Sequence, residues 1–259
     1  MIIIPFYTLF RREIARFMKV LVQTVITPFI SSFLYLLIFG VSLGAQMSAS
    51  KGVSYLGFLI PGLMMMGLIN NSFSNSSSSI VSSKFSGDME DLRVAPVTNQ
   101  NIIWAMSLAS LVRGTMVALI TYIVGSGFMF YQEGQWLPMV HPLAVLYFVI
   151  MGGLIFGLIG ISVAFWATTF DQLSAFSAFI LLPLTYLGGV FLSIEHLQPF
   201  WQWVSRCNPL LYLINGLRYG MLGVSDVPAW TSFTVSLVGF VVFYVGALIS
   251  LKKGSFQRW

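Results

Sequence analysis

The chain has 259 residues, of which 57% are hydrophobic and only 8% are charged, and its mean hydropathy is +0.87. This composition excludes a soluble globular domain and predicts an integral membrane protein. The net charge of +5 does not indicate nucleic-acid binding, because the basic residues are scattered among the ends of apolar segments.

Most apolar residues fall in long runs, without the strict alternation of a β-barrel strand. The sequence therefore predicts an all-α membrane protein of one domain, residues 1–259. Its transmembrane helices are expected at residues 20–43, 55–81, 102–130, 143–168, 173–192 and 230–251. The single cysteine, Cys207, excludes an internal disulfide and is expected to be a packed free thiol, and no spacing of His or Cys indicates a metal site.

Residues 1–19 combine apolar and basic side chains with helical periodicity. One face carries Phe6, Phe10, Ile14, Phe17 and Met18, and the opposite face carries Arg12, Arg16 and Lys19. This pattern is typical of an amphipathic helix in the membrane interface. The apolar run that follows is too long for a signal peptide, so we expect it to be retained as the first transmembrane helix.

The second apolar run ends at Ile69, which makes it shorter than the span of about 20 residues that a bilayer core requires. The helix is therefore expected to continue through a run of serine and asparagine, called here the polar run (residues 70–79). Such side chains either pack against a neighbouring helix or line a translocation path. The candidates for the path are Asn70, Asn71 and Asn75.

A charged segment, residues 84–98, follows the second run. It contains three acidic residues, Asp88, Glu90 and Asp91, and Pro96 is expected to end any helix that they form. Such a segment lies outside the hydrocarbon. Its carboxylates either dock onto a basic partner or solvate an exposed turn.

Arg113 interrupts the third apolar run. At about 1.5 Å per residue it lies roughly 15 Å inside the span, too deep for a helix-end arginine. We expect it either to have a structural partner, such as a carbonyl or carboxylate on another helix, or to contact the substrate.

The fourth run contains Gly153 and Gly157, whose spacing predicts the close approach of another helix. Residues 169–172 are expected to form a polar turn before the fifth run. Near the end of the fifth run, Tyr186, Gly188 and Gly189 form either part of an external gate or a tight contact with a helix at residues 200–203.

Residues 193–229 carry charged side chains but also contain apolar stretches. Pro199, Pro209 and Pro228 divide this region into two short helices, neither of which is long enough to cross a membrane. A pair of re-entrant or interfacial helices, buried partly against protein, fits both length and polarity.

The distribution of basic residues predicts the orientation. Six spans place both termini and the charged segment on one side. That side carries nine basic residues: Arg11, Arg12, Arg16, Lys19, Lys84, Arg93, Lys252, Lys253 and Arg258. The other side carries three: Lys51, Arg206 and Arg218. The positive-inside rule therefore predicts cytoplasmic termini.

The sequence contains no G-x-x-x-x-G-K-[ST] loop, so the chain is not expected to hold ATP itself. No acidic residue lies within a predicted span, which argues against ion-coupled transport. The sequence is therefore that of a membrane bundle with a charged cytoplasmic segment and no energy source of its own.

The chain resembles the membrane-spanning permease subunits of type-2 ATP-binding-cassette (ABC) exporters, of the bacterial drug and lipid-linked glycan kind. The amphipathic N-terminal helix and the charged segment carry the resemblance. Its most specific parts are LLPLTYLGGVFLS (residues 181–193) and NPLLYLINGLRYGMLG (residues 208–223). The resemblance covers essentially the whole chain and implies six transmembrane helices, an external re-entrant helix pair, and two permeases that assemble with two separate ATPase subunits.

This resemblance also implies that the charged segment contains a coupling helix that seats in a groove of the ATPase. The implied coupling residues are Lys84, Asp88, Glu90, Asp91, Leu92, Arg93 and Pro96. The chain itself is then not an enzyme and binds no cofactor, since ATP and Mg belong to the partner.

The expected function is the permease of an ATP-driven exporter in the bacterial inner membrane, paired with a second copy of itself. The implied substrate is an amphipathic or lipid-linked drug, lipid or glycan. Two alternatives are an ion-coupled secondary transporter and a membrane scaffold that moves nothing.

Overall fold

The computed structural model describes residues 3–43 and 53–254, except for the side chains of residues 41–43 and 93. In these ranges the chain is helical and contains no strand. The helices are α1 (Ile3–Met18), α2 (Leu21–Tyr35, continued as a π-helix over Leu36–Leu43), α3 (Tyr55–Ser86), α4 (Asp88–Val94), α5 (Asn99–Glu133), α6 (Pro142–Trp166), α7 (Phe170–Phe176), α8 (Leu182–Leu187, joined to α7 by the π-helix Ser177–Leu181), α9 (Pro199–Arg206), α10 (Pro209–Leu222) and α11 (Ala229–Lys253).

Six segments in the described ranges are long and apolar enough to cross a membrane: the α2 segment, α3, α5, α6, the α7–α8 segment and α11. The predicted all-α fold with six transmembrane helices is therefore confirmed. Lys51 and Arg258, which entered the orientation count, lie outside the described residues.

Local chemistry explains where several helices begin. The side chains of Ser54, Thr98 and Thr169 each accept a hydrogen bond from a backbone N–H in the first turn of the helix that follows. Because α7 therefore begins at Phe170, the predicted turn at residues 169–172 is wrong, and Asp171 lies in the first turn of a helix.

Helix α3 is the centre of the bundle. It packs along α5 and α6 and also contacts α10, and 78% of its transmembrane window is buried. The corresponding share is only 17% for the α2 segment, the α7–α8 segment and α11. Three transmembrane segments thus lie at the outside of the bundle.

The predicted close approach at Gly153 and Gly157 is confirmed, and the partner is α5. A Cβ atom at Gly153 would lie 2.5 Å from Leu111 Cδ1, and one at Gly157 would lie 3.2 Å from Ser110 Cβ. The absence of side chains at these positions lets α5 and α6 touch.

Two predicted span ends are wrong. Helix α3 continues to Ser86 instead of residue 81, because Ser83 and Lys84 are buried in the bundle and do not require an end of the helix. The fifth span ends at Leu187 instead of residue 192, and Gly189 then turns the chain with a φ of 80° that favours glycine.

Two short helices were predicted between residues 193 and 229, and the structure places α9 and α10 in this region. Pro199 and Pro209 occupy their first turns, where the missing N–H costs nothing. Cys207, between the two helices, is exposed and not packed as expected. The position of α9 and α10 relative to the membrane stays a prediction.

Candidate functional site

Helix α4 is a short amphipathic helix at one end of the bundle, called here the α4 end. Gly87, with a φ of 87°, separates it from α3. Met89 and Leu92 are buried in the apolar cluster at this end, whereas Asp88, Glu90 and Asp91 are exposed. The helix therefore presents carboxylates on a rigidly anchored support.

The helix ends at Val94, and Ala95 is extended, as expected for the residue before Pro96. Pro96 itself is exposed, and buried Leu92 anchors α4 to the apolar cluster. Arg93 lies on α4, but its side chain falls outside the described part of the structure.

Lys84 does not belong to the exposed surface, contrary to the prediction. It lies in α3 with an exposed fraction of 0%. Its Nζ donates hydrogen bonds to the carbonyl oxygens of Ala164, Phe165 and Ala167 at 2.8, 3.1 and 3.4 Å. Lys84 thus caps the carboxyl end of α6, where a cation is favoured by the unpaired carbonyls.

Helix α1 packs on the bundle through one face. Phe17 is buried, and Phe6 and Phe10 lie against the apolar cluster of the α4 end. The same face also contains Glu13, between Phe10 and Phe17, which the sequence interpretation had not placed on it. Glu13 has an exposed fraction of 2%, and its carboxylate contacts the polar run of α3.

A polar network connects α1 to α3. The Glu13 carboxylate accepts hydrogen bonds from Ser79 Oγ at 2.7 Å and from Arg16 Nε at 3.2 Å. Arg16 also donates to the backbone oxygen of Asn75 at 2.7 Å and to Ser78 Oγ at 3.4 Å. The sequence interpretation missed Glu13, although its spacing of three residues from Arg16 is a helical ion-pair spacing.

Arg12 extends this network to α4. It donates to Ser83 Oγ at 3.1 Å and lies 3.6 Å from the Asp88 carboxylate. Both side chains of the ion pair are substantially exposed, so the pair contributes little stability. The contacts of Arg12 bring α1, α3 and α4 together at this position.

The polar run of α3 has two faces with different surroundings. Asn75 is fully buried and donates from Nδ2 to Ser110 Oγ of α5 at 3.2 Å, and Ser76 donates to the carbonyl of Gly157 on α6 at 2.7 Å. The path-lining prediction for Asn75 is therefore wrong. Asn70 lies on the other face, and Asn71, four residues before Asn75, lies closer to the side of Asn75; both are only partly buried.

Two grooves flank that other face. A groove of about 490 Å³ separates α3 from the α7–α8 segment, and its polar lining includes Asn70, Ser74, Ser77, Ser78, Ser174 and Thr185. A groove of about 210 Å³ lies between α2, α3 and α5, with Thr27, Ser31, Asn70, Asn71 and Thr121 among its lining residues. Asn70 and Met66 line both grooves.

Arg113, on α5, has none of the structural partners that were considered for it. It is partly buried, its Nε is enclosed without an acceptor, and it makes no hydrogen bond or ion pair with the described residues. The expected carbonyl or carboxylate on another helix is not present in this part of the chain.

The residues predicted for a gate lie at the end of the bundle opposite α4. Gly188 and Gly189 pack on α10, where a Cβ atom would lie 2.9 Å from Ile214 and 3.5 Å from Leu211 respectively. The alternative of tight packing named residues 200–203 as the partner, which is wrong. Tyr186 is exposed, with its ring 5.5 Å from that of Phe191, and its role in a gate stays a prediction.

A second buried arginine, Arg218 on α10, was counted only as a basic residue. It donates to the carbonyl of Gly189 at 2.9 Å, lies 3.8 Å from the Asp226 carboxylate and stacks on Phe58 at 3.6 Å. The sequence interpretation missed this contact. The available signal was the pair of opposite charges, Arg218 and Asp226, eight residues apart beside an apolar stretch.

Comparison with known proteins gives matches along most of the chain. The family described as ABC-2 type transporter matches residues 5–222. The inner membrane transport permease YadH of Escherichia coli K12 is 38% identical over 247 residues, which cover 95% of this chain and 94% of the relative. Nodulation protein J of Neorhizobium galegae is 25% identical over 249 residues, with coverages of 94% and 90%.

Proposed function

Because the chain belongs to the ABC-2 type transporter family, we propose that it is the permease subunit of an ATP-driven exporter. The coarser description follows from the family and its relatives: the chain is a multi-pass inner-membrane transport subunit and not an enzyme. The family implies an ABC ATPase as a partner in general. ATP and Mg would be bound by that separate subunit.

The observation that carries the proposal is the geometry of α4. Buried Met89 and Leu92 fix the helix to the bundle, and the side chains of Asp88, Glu90 and Asp91 are exposed. Arg12 and Gly87 connect α4 to α1 and α3. Such a rigid junction passes movement of a docked partner into the transmembrane helices, and carboxylates favour a basic docking surface.

The transport path is proposed to follow the open face of α3, defined by Met66, Asn70, Ser74 and Ser78. Polar side chains at membrane depth are unfavourable against lipid, so a face of this kind is expected to meet water or protein. We propose that a second copy of the chain lies across the groove beside the α7–α8 segment and supplies that protein surface. Grooves that combine serine and asparagine with Met66 and Phe73 suit an amphipathic or lipid-linked substrate.

The α4 end is proposed to be cytoplasmic. Among the described residues, Arg11, Arg12, Arg16, Lys19, Lys84, Arg93, Lys252 and Lys253 belong to this side, whereas Arg206 and Arg218 belong to the other. The positive-inside rule supports this orientation. This orientation places the carboxylates of α4 in the cytoplasm, where an ATPase subunit can dock.

Copurification with the ATPase tests the proposal. The genes for the permease and for the ATPase encoded nearest to it are coexpressed, and the amount of ATPase retained on tagged permease is measured. We expect the triple variant Asp88→Ala, Glu90→Ala and Asp91→Ala to retain several-fold less ATPase, because the docking charges are lost.

The matched control changes exposed carboxylates at the opposite end, Glu133→Ala and Glu195→Ala. This control is expected to retain the ATPase like the wild type. Equal retention by the wild type and by the α4 variant would overturn the assignment of α4 as the docking helix.

A further inference from the structure

Arg113 occupies a position that a structural role does not explain. It lies well inside α5, a transmembrane helix, and no described residue accepts a hydrogen bond from it or pairs with its charge. An uncompensated guanidinium within a membrane protein is expensive. A positively charged side chain kept at this cost is expected to meet an anion that is not part of the chain.

A second guanidinium lies close by. Arg16 binds Asn75, Asn75 binds Ser110 on α5, and Arg113 is one turn further along the same helix. The two arginines are close enough for their charges to repel each other. Because Glu13 pairs with Arg16, the local balance is two positive charges against one negative charge, and the excess charge lies on Arg113.

Helix α2, which packs along α5, carries an unpartnered hydroxyl. Ser32 of α2 bonds Thr121 of α5 at 2.9 Å, and the ring centroids of Phe33 and Phe128 are 5.2 Å apart. In sequence, Thr24 and Arg113 lie eight residues before the bonded residues Ser32 and Thr121 respectively. The Thr24 hydroxyl is buried and has no hydrogen-bond partner in the described structure.

The groove of about 210 Å³ lies further along α5 and α2 than Arg113 and Thr24. Val117 and Thr121, one and two turns along α5 from Arg113, line it together with Pro28 of α2. Asn71 of α3 lines it at the level of Arg113. A cationic end and a partly apolar groove together match an amphipathic molecule whose headgroup is anionic.

We propose that Arg113, supported by Arg16 and the Thr24 hydroxyl, binds the anionic headgroup of an amphipathic ligand, and that this headgroup is a phosphate. Guanidinium groups suit phosphate because they donate two parallel hydrogen bonds to its oxygens. The proposal deepens the proposed function, since it rests on the grooves of α3 forming the transport path, and it names the ligand class.

Retention of lipid by the purified full-length permease tests the site. The protein is placed in phosphatidylcholine nanodiscs that contain fluorescent phosphatidylglycerol, and binding is measured by energy transfer from its tryptophans. We expect Arg113→Met to bind phosphatidylglycerol about tenfold more weakly, because one charged hydrogen-bond donor is lost. Arg113→Lys keeps the charge and is expected to bind with an intermediate affinity.

Arg11→Met is the matched control, because Arg11 is an exposed arginine on α1 and the change in net charge is the same. It is expected to bind like the wild type. Equal affinity of the wild type and Arg113→Met for phosphatidylglycerol would overturn the proposal.

Competition distinguishes the possible sources of the phosphate. If inorganic phosphate displaces the fluorescent lipid, the site takes a free anion, and if it does not, the site requires the lipid. In the complex with the ATPase, a transported lipid leaves the site when ATP is hydrolysed, whereas a structural lipid stays. Each outcome identifies the source of the phosphate, and in each case Arg113 is the residue that binds it.

Thermal unfolding separates this site from a folding defect. Without anionic lipid, Arg113→Met is expected to melt at the same or a higher temperature than the wild type, because an unpaired charge is removed. Phosphatidylglycerol is expected to raise the melting temperature of the wild type only. A lower melting temperature in both conditions would assign Arg113 a structural role and overturn the proposal.

The lipid site at Arg113 and the docking role of α4 are tested by independent measurements. Lipid binding is measured on the permease alone, and copurification with the ATPase depends on α4. Loss of lipid binding in Arg113→Met with unchanged ATPase retention supports the site even if α4 were not the docking helix.

Discussion

Two arginines inside the bundle differ in their surroundings. Arg218 has an exposed fraction of 1%, and a carbonyl, a carboxylate and an aromatic ring surround its guanidinium. Arg113 has neighbours, but none of the residues that the structure describes accepts a hydrogen bond from it. The comparison shows that burial of a cation does not by itself define its role, since the acceptors around it decide whether it holds the fold or remains available for a ligand.

Arg218 holds three parts of the chain together. Its contacts join α10 to the turn at Gly189 and to the loop that carries Asp226. The backbone N–H of Asp226 also donates a hydrogen bond to Asn215 Oδ1 at 2.9 Å. Burial lowers the pKa of Arg218 to about 10, and Asp226 opposes this shift, so the side chain remains charged at neutral pH.

The largest expected effect is that of Arg218→Met. It removes the guanidinium that lies 3.8 Å from the buried Asp226 carboxylate, and removing one partner of a buried pair costs about 3–5 kcal/mol. The melting temperature in detergent should fall strongly. The exposed Arg206→Met is the control, and a fall no greater than that of this control would remove the distinction between Arg218 and Arg113.

Lys84→Met is expected to have the next largest effect. The carbonyl groups at the end of α6 lose their donor in a buried place, and each unsatisfied buried group costs about 1–3 kcal/mol. The exposed Lys253→Met is the control for loss of one positive charge. If both variants melted alike, Lys84 would have no capping role.

Glu13→Gln tests how the charge balance around Arg113 differs from that around Arg218. The amide keeps an acceptor for Ser79 but no longer compensates Arg16, so we expect a loss of about 1 kcal/mol. Since the local positive charge increases, affinity for phosphatidylglycerol should also rise. Both are measured in the nanodisc assay, with Glu133→Gln as the control, and weaker lipid binding would contradict the charge balance described here.

The smallest expected effect on stability is that of the triple alanine variant of α4. Asp88, Glu90 and Asp91 are exposed, and surface changes of this kind usually shift stability by about 0.5 kcal/mol or less. Its melting temperature should therefore equal that of the wild type while ATPase retention falls. A large loss of stability would make its docking defect a consequence of misfolding.

The sequence predicted the fold well because long apolar runs and proline positions act locally. The six spans, the amphipathic α4 and the pair α9 and α10 all follow from such signals. The boundaries of α3 and α7 were less accurate, because burial against other helices and the Thr169 cap decide them.

The contacts of the charged residues were not predictable in the same way. Lys84 was assigned to an exposed surface because it is charged, but it binds carbonyls at the end of α6, about 80 residues away in sequence. Asn75 was assigned to a path with Asn70 although the two face opposite sides of α3. Such assignments depend on which helices become neighbours, and the helical periodicity of one segment does not contain that information.

The most direct test of the proposed function is transport in proteoliposomes. Fluorescent phosphatidylglycerol is followed from one leaflet to the other in vesicles that contain the permease with the ATPase, or the permease alone. Movement that requires ATP and both subunits, and that fails in the triple alanine variant of α4, is the predicted result. Movement by the permease alone, driven by an ion gradient without ATP, would contradict it.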